Sequence, residues 1–187
     1  MLSKSDIRML IKEKMEGLDS TKKGIMDQKI RDFIYNLPDY SRAKNIFSYV
    51  SKEKEVDTID LINKSIEIGK SVYVPLTIKE NNSLEVRKIT SLEDLKIGNF
   101  NILEPKDHTK SINPKEIEIL FIPGLAFGTG FERLGRGGGY FDRFLLESTG
   151  LKVGLAYEFQ IFESLPVQKH DVKMDLIITD SGIISPV

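Results

Sequence analysis

The chain has 187 residues and sets 27 Lys and Arg against 28 Asp and Glu, a formal net charge of −1. That length suits one domain with a sizeable core, and the balanced charge lacks the basic footprint expected of a nucleic-acid binder. With no cysteine and only two histidines, His108 and His170, the chain offers no disulfide, thiolate metal site, Cys nucleophile or His-rich zinc site.

Ser3 with Asp6 three residues on makes an N-terminal capping pattern, and Ile7, Leu10, Ile11, Met15 and Leu18 recur at helical spacing, so 4–18 reads as an amphipathic helix. Lys4, Arg8 and Lys12 form one basic stripe on it. These charges break up the apolar positions, unlike the uninterrupted core of a signal peptide. A second helix runs from Ser20 or Thr21 to about Leu37, with Ile25, Ile30, Phe33, Ile34 and Leu37 inward and Pro38 ending it.

Ile46–Val50 is a short β-branched and aromatic run, Asp57–Ile68 is helical with Ile59, Ile62 and Ile66 spaced for burial, and Val72–Val74 is a second buried run. Strand, helix and strand in this span make a βαβ unit. Leu76–Ile78 and Leu84–Val86 flank Asn81-Asn82-Ser83 as an edge hairpin, and residues 90–116 read as irregular. A second unit follows: strand Ile119–Ile122, a glycine-rich loop, helix Tyr140–Ser148 and strand Val153–Ala156, with a last strand at Leu176–Thr179. The longest apolar stretch, Ile119 to Phe127, is interrupted by Pro123 and Gly124 and falls far short of the roughly 20 residues of a membrane helix. The expectation is a single α/β domain over 1–187, a three-layer α/β/α, Rossmann-like arrangement with a mostly parallel sheet and helices 4–37 packed on it. Its expected location is the cytoplasm, with no membrane and no nucleic acid as partner.

Seven of the fourteen glycines fall within 124–139, namely Gly124, Gly128, Gly130, Gly135, Gly137, Gly138 and Gly139, and Arg133, Arg136 and Arg143 sit in or just after this loop. Glycines let backbone N–H groups approach an anion, a following helix N-terminus adds positive potential, and arginine forks match phosphate oxygens. The standard phosphate motifs do not fit: after Gly130 and Gly135, Arg136-Gly137 stands where a P-loop needs Lys-Ser/Thr, and Tyr140 takes the last glycine of a GxGxxG. The loop is therefore either an unfamiliar phosphate cradle or a turn whose glycines serve backbone geometry alone.

Single residues are open in the same way. Asp142, in the first turn of the helix after the loop, suits either an ordinary helix-start acid or a Mg²⁺ ligand. Lys4 and Arg8 suit a solvated stripe or a ligand contact, and Glu55 suits a helix start or a strand-end ligand position. Asp171 and Asp175 each suit turn positions, and His170 a structural hydrogen bond.

The run Ile122-Pro123-Gly124-Leu125-Ala126-Phe127, followed by Arg133-Leu134-Gly135-Arg136-Gly137-Gly138-Gly139-Tyr140-Phe141-Asp142-Arg143, resembles the 5-formyltetrahydrofolate cyclo-ligase (5,10-methenyltetrahydrofolate synthetase) family. Lys4-x-x-x-Arg8, Glu55-Val56-Asp57-Thr58, Ile102-Leu103-Glu104-Pro105 and His170-Asp171 with Asp175 match further family motifs in order. The resemblance implies Mg²⁺- and ATP-dependent cyclisation of 5-formyltetrahydrofolate to 5,10-methenyltetrahydrofolate, with release of ADP and phosphate. In that reaction the formyl oxygen takes the γ-phosphoryl group and N10 then closes the ring.

Carried over, Lys4, Ser5, Asp6, Ile7 and Arg8 bind ATP, and Arg133, Leu134, Gly135, Arg136, Gly137, Gly138, Gly139, Tyr140 and Phe141 wrap its phosphates. Val50, Glu55, Glu104, Arg136, Gly137, Gly138, Gly139 and Tyr140 meet the folate, with or without a polyglutamate tail. Arg133, Arg136 and Tyr140 are the implied catalytic groups, Asp142 and Asp175 the Mg²⁺ ligands, and the protein is expected to be a monomer. Phe141 departs from a common second Tyr, and Gly128 and Phe131 from a frequent Asp and Gly. Two other readings compete: a sugar-phosphate or CoA-type enzyme on a similar sheet, and a folate-binding protein without turnover.

Overall fold

The computed structural model describes residues 2–166 and 171–186. Ser3 closes a capping box with Asp6 at the start of α1 (Lys4–Glu16), which buries Ile7, Ile11 and Met15. Asp19 caps α2 (Ser20–Tyr35), whose inner stripe is Met26, Asp27, Ile30 and Ile34. Ile25, expected inward, is 57% exposed, because the helical step carries it off the stripe that Met26, Ile30 and Ile34 define. Pro38 does more than end α2: it occupies the first turn of α3 (Pro38–Arg42), where its missing N–H costs nothing.

Next come β1 (Asn45–Ser48), α4 (Ile59–Glu67), β2 (Ser71–Ile78) and β3 (Ser83–Ile89). The two runs on either side of Pro75 are one strand: β1 pairs with β2 only as far as Tyr73, so Pro75 lacks an N–H where no ladder partner waits. Within the span read as irregular, β4 (Leu95–Ile97) and β5 (Leu103–Pro105) form an antiparallel ribbon. Then follow β6 (Ile119–Pro123), β7 (Ala126–Gly128), β8 (Arg133–Leu134) and α5 (Tyr140–Glu147). The chain continues through β9 (Leu151–Leu155), β10 (Ile161–Phe162), β11 (Leu176–Ile178) and β12 (Ile183–Ile184).

Among the described residues the main sheet has the order β12-β11-β9-β6-β1-β2-β3. The strands from β2 to β11 run parallel, and β3 and β12 are antiparallel edges. Successive strand residues face opposite cores. Ile46, Ile119 and Phe121 join α1, α2 and α4 on one face, while Phe47, Leu120 and Ile122 meet Phe144 and Leu145 of α5 on the other. The mixed α/β fold with a large, mostly parallel sheet covered on both faces is as expected from the sequence.

Glu104 is placed differently from its expected role at the substrate. It is 3% exposed, and its two oxygens accept from the N–H groups of Thr77 (3.1 Å) and Asn99 (3.0 Å). Thr77 lies beyond the β1–β2 ladder, so its amide has no strand partner on that side, and the carboxylate supplies one. Glu104 thus ties the β4–β5 ribbon to β2. Glu104→Ala is expected to leave two amides without partners and to cost about 2–4 kcal/mol, lowering Tm by roughly 5–15 °C in a thermal melt.

Candidate active site

Chain order along the sheet turns back between β1 and β6: β2 lies on one side of β1, while β6, β9 and β11 extend on the other. Loops leaving the C-terminal ends of β1 and β6 therefore diverge and leave a crevice, the usual ligand position in an open parallel sheet. A cavity of about 460 Å³ opens there, within the size range of small-molecule sites. Its walls are the 49–56 loop, the glycine-rich loop, Ile11 and Met15 of α1, and Ile102 beside the β4–β5 ribbon.

The glycine-rich loop is partly ordered by the β7–β8 hairpin. Beyond it, Gly137 (φ +104°) and Gly139 (φ +69°) hold left-handed conformations that side chains resist. Gly139 is the N-cap of α5 and brings no side chain to its amides, so that helix end faces the cavity uncapped. Arg133 lies beneath, with 3% of its side chain exposed; Nη2 donates to Asp142 Oδ1 (2.8 Å) and Nη1 to the Pro123 carbonyl (3.3 Å). Its Nε is buried without a partner among the described residues, and its guanidinium stands 5.6 Å from the Phe141 ring. Arg143 turns away and donates to the carbonyls of Asn82 and Gly138 (both 2.8 Å), bracing the loop against the β2–β3 turn.

On the opposite wall, Glu55 accepts the Lys52 N–H (2.9 Å) and the Arg136 Nη2 (2.9 Å), joining the two loops across the cavity. Tyr49 lines the floor and donates its hydroxyl to the Val56 carbonyl (2.8 Å). Burial, reinforced by the nearby Glu55 charge, pushes the Tyr49 hydroxyl well above its ordinary pKa, so it stays a donor at neutral pH.

Of the five residues matched at the N-terminus, Lys4 and Arg8 reach the site region: Arg8 Nε donates to the Gly135 carbonyl (3.2 Å), and Lys4 Nζ to Asp171 Oδ2 (3.0 Å). Ile7 is a core residue, 1% exposed, while Ser5 and Asp6 hydrogen-bond Ser3 at the helix cap. Val50, Glu55, Arg133, Gly135, Arg136, Gly137, Gly138, Gly139, Tyr140, Phe141 and Asp142 all line the cavity. Leu134 is buried in the core beside it.

Asp175 does not join Asp142. It precedes β11 and exchanges hydrogen bonds with Lys152 at the start of β9, at the N-terminal end of the parallel strands, whereas the cavity lies at the C-terminal end. Asp171 is the acid that meets α1 instead, through Lys4. His170 lies outside the described residues.

Gln160 carried no signal beyond its place just after a strand; its Nε2 donates to the carbonyls of Gly124 (3.1 Å) and Leu125 (3.0 Å), where the glycine-rich loop begins. Lys52, Lys54 and Thr77 line the cavity and were equally unmarked in the sequence. The departures at Gly128 and Phe131 are accommodated together. A Cβ at Gly128 would run into Glu132 Oε2, so Gly128 leaves room for a carboxylate that arrives from Glu132 and pairs with Lys173 (2.9 Å). Phe131 takes the turn at φ +68°.

Fold and site together define an α/β enzyme in which a glycine- and arginine-rich loop faces a second, carboxylate-bearing wall. The model of the 5-formyltetrahydrofolate cyclo-ligase family matches residues 1–180, and the chain belongs to that family. The Haemophilus influenzae 5-formyltetrahydrofolate cyclo-ligase is 32% identical over 182 residues, covering 94% of this chain and 97% of that protein. A mitochondrial 5-formyltetrahydrofolate cyclo-ligase of Arabidopsis thaliana is 30% identical, over 95% of this chain and 74% of its own. Among solved structures, the 5,10-methenyltetrahydrofolate synthetase of Aquifex aeolicus superposes with TM-score 0.87 at 31% identity, covering 97% of this chain and 92% of that one. That of Mycoplasma pneumoniae gives 0.77 at 27% identity, covering 96% and 99%. Among the described residues, no helix is long and apolar enough to cross a membrane.

The Arg133–Asp142 pair carries a stability prediction of its own. Arg133→Met keeps the stem volume but leaves Asp142 against an apolar neighbour, and is expected to cost about 3 kcal/mol in denaturant unfolding, toward the low end for a broken buried pair.

Proposed function

We propose that this protein converts 5-formyltetrahydrofolate to 5,10-methenyltetrahydrofolate at the expense of ATP, releasing ADP and phosphate. The observation that carries the reading is the single cavity wall where uncapped α5 amides, the glycine-rich loop, Arg133 and Arg136 converge, opposite Glu55. An anion-binding half and an acid-bearing half in one cavity suit a reaction that must align a triphosphate with a neutral, hydrogen-bonding heterocycle.

In this reading Lys4 and Arg8 hold the nucleotide, and the loop from Arg133 to Phe141 wraps its phosphates. Glu55 and Val50 hold the folate. Arg136, with Tyr140 beside it, leaves Glu55 for the transferring phosphoryl group. The formyl oxygen bonds to the γ-phosphorus as the bond to ADP breaks; N10 then attacks the formyl carbon and gives up its proton, and phosphate departs with that oxygen and serves as the proton's acceptor. The side chains supply alignment and positive charge, and no nucleophile is required of them.

Mg²⁺ would neutralise phosphate charge during the transfer. Among the described residues no group of three or more His, Cys, Asp or Glu could enclose a metal, which agrees with Mg²⁺ held by one or two carboxylates and completed by phosphate oxygens. Asp142, on the cavity wall, is the first such carboxylate, and Asp171, beside Lys4, replaces Asp175 as the second. The same reading takes residues 1–187 as one monomeric domain.

Purified protein mixed with 5-formyltetrahydrofolate and MgATP is expected to give equal amounts of methenyl product, read by its absorbance, and phosphate. Each component should be required; binding of both ligands without turnover would instead make this a folate-binding protein. Asp142→Asn, which keeps an acceptor for Arg133 but removes the charge that balances it, is expected to lower Mg²⁺-dependent turnover on the order of 100-fold and to lower Tm as well, so turnover is compared at a temperature well below both melting points. Glu55→Gln is expected to raise the KM for the folate and leave that for MgATP little changed; equal effects on both would remove Glu55 from the folate side.

A further inference from the structure

Asp27 of α2 is a carboxylate on an otherwise apolar helix stripe, 4% exposed, and nothing in the reaction uses it. Its Oδ1 accepts the hydroxyl of Tyr157 (2.7 Å) and the backbone N–H of Asp57 (3.1 Å), and its Oδ2 accepts Lys23 Nζ (2.8 Å). Tyr157 is fully buried, stacks on Phe159, and places the same hydroxyl 3.3 Å from the Glu55 carbonyl. Tyr49 donates to the Val56 carbonyl between them (2.8 Å). Three consecutive residues, Glu55, Val56 and Asp57, thus have backbone groups held from beneath, by groups arriving from β9's end, the end of β1 and α2.

Neither Asp27 nor Tyr157 lines the cavity. A buried carboxylate is costly unless its hydrogen bonds fix something, and here the thing fixed is the backbone that aims the Glu55 carboxylate into the cavity. Lys23 balances the charge from the solvent side, with 20% of its side chain exposed. Among the described residues the partners of Asp27 are Lys23, Tyr157 and the Asp57 amide, and none of them belongs to the nucleotide wall.

We infer that Asp27 and Tyr157 are positioning residues for folate recognition, acting on the substrate only through the placement of Glu55. The inference rests on the cyclo-ligase reading above. It sets a selective expectation, since loosening this support should weaken folate binding and spare the nucleotide.

The test is a double-mutant cycle on the full chain, with 5-formyltetrahydrofolate and MgATP varied in turn. Tyr157→Phe keeps the ring and removes the hydroxyl; it is expected to raise the folate KM about tenfold, a coupling of the size found within one hydrogen-bond network, with the MgATP KM changed less than about twofold. In a Glu55→Gln background the same substitution should change the folate KM by less than about twofold, because the group it positions is already gone. Asp27→Asn should reproduce the pattern, and it carries the test if Tyr157→Phe does not fold. Equal rises in both KM values, effects that multiply fully across the cycle, or an unchanged folate KM would each overturn the inference. Wild-type protein in the same assay separates the two levels: if it fails to turn over, the cyclo-ligase reading falls; if it turns over and the variants match it, only the positioning role falls.

Discussion

The turn-back of strand order between β1 and β6 is the constraint on which the rest of the site depends. Two segments more than 60 residues apart in sequence, around Glu55 and around Arg133 to Asp142, leave neighbouring parallel strands at the same end. Their helices, α4 and α5, then pack on opposite faces, and the loops are forced apart rather than together. The cavity is therefore a product of topology before any side chain is chosen. Side chains decide what the gap holds: an uncapped helix end and arginines on one wall, an acid on the other.

Keeping the gap open requires that both walls be rigid, and each is braced by buried polar groups. Arg133 ties the end of β6 to the first turn of α5 through the Pro123 carbonyl and Asp142, and Gln160 holds the two carbonyls that follow. Tyr49, Thr58 and Asp27 do the same for the opposite loop, with Thr58 Oγ1 donating to the Tyr49 carbonyl at 2.6 Å. Both loops are also anchored in the core, through Tyr49, Val50 and Val56 on one side and Ala126 and Leu134 on the other, and the hydrogen bonds, made in a low-dielectric setting, fix the backbone between these anchors.

Much of this was legible in the sequence because the signals are local. Capping at Ser3, the apolar runs at Ile46 and Ile119, and glycine clustering at 124–139 each need only neighbouring residues to be read. What escaped depends on distant partners. The short strands of the β7–β8 hairpin and the β4–β5 ribbon carry no periodicity of their own, and Pro75 is harmless only because β1 ends its pairing at Tyr73. Glu104 and Asp175 matched family motifs by spacing, yet spacing cannot say which end of a strand an acid reaches or whether backbone amides already occupy it. Asp27 was invisible for the converse reason, since a lone acid on a helix ordinarily faces water.

The charges of the cavity divide by how tightly they are held. Arg133 and Asp142, with 3% and 18% of their side chains exposed, form a pair that neither partner can leave without stranding the other in a poorly solvated place. Arg136 and Glu55 are paired at a similar distance, but Arg136 is 64% exposed, and such a pair is worth no more than about 1 kcal/mol. Water, or a ligand with better-matched groups, replaces it at little cost. The first pair therefore fixes the geometry of the cradle, while the second keeps two charged groups mutually neutralised until stronger partners enter. The cavity therefore combines two kinds of charge, a permanent pair that sets the frame and an exchangeable pair whose groups can turn to other partners.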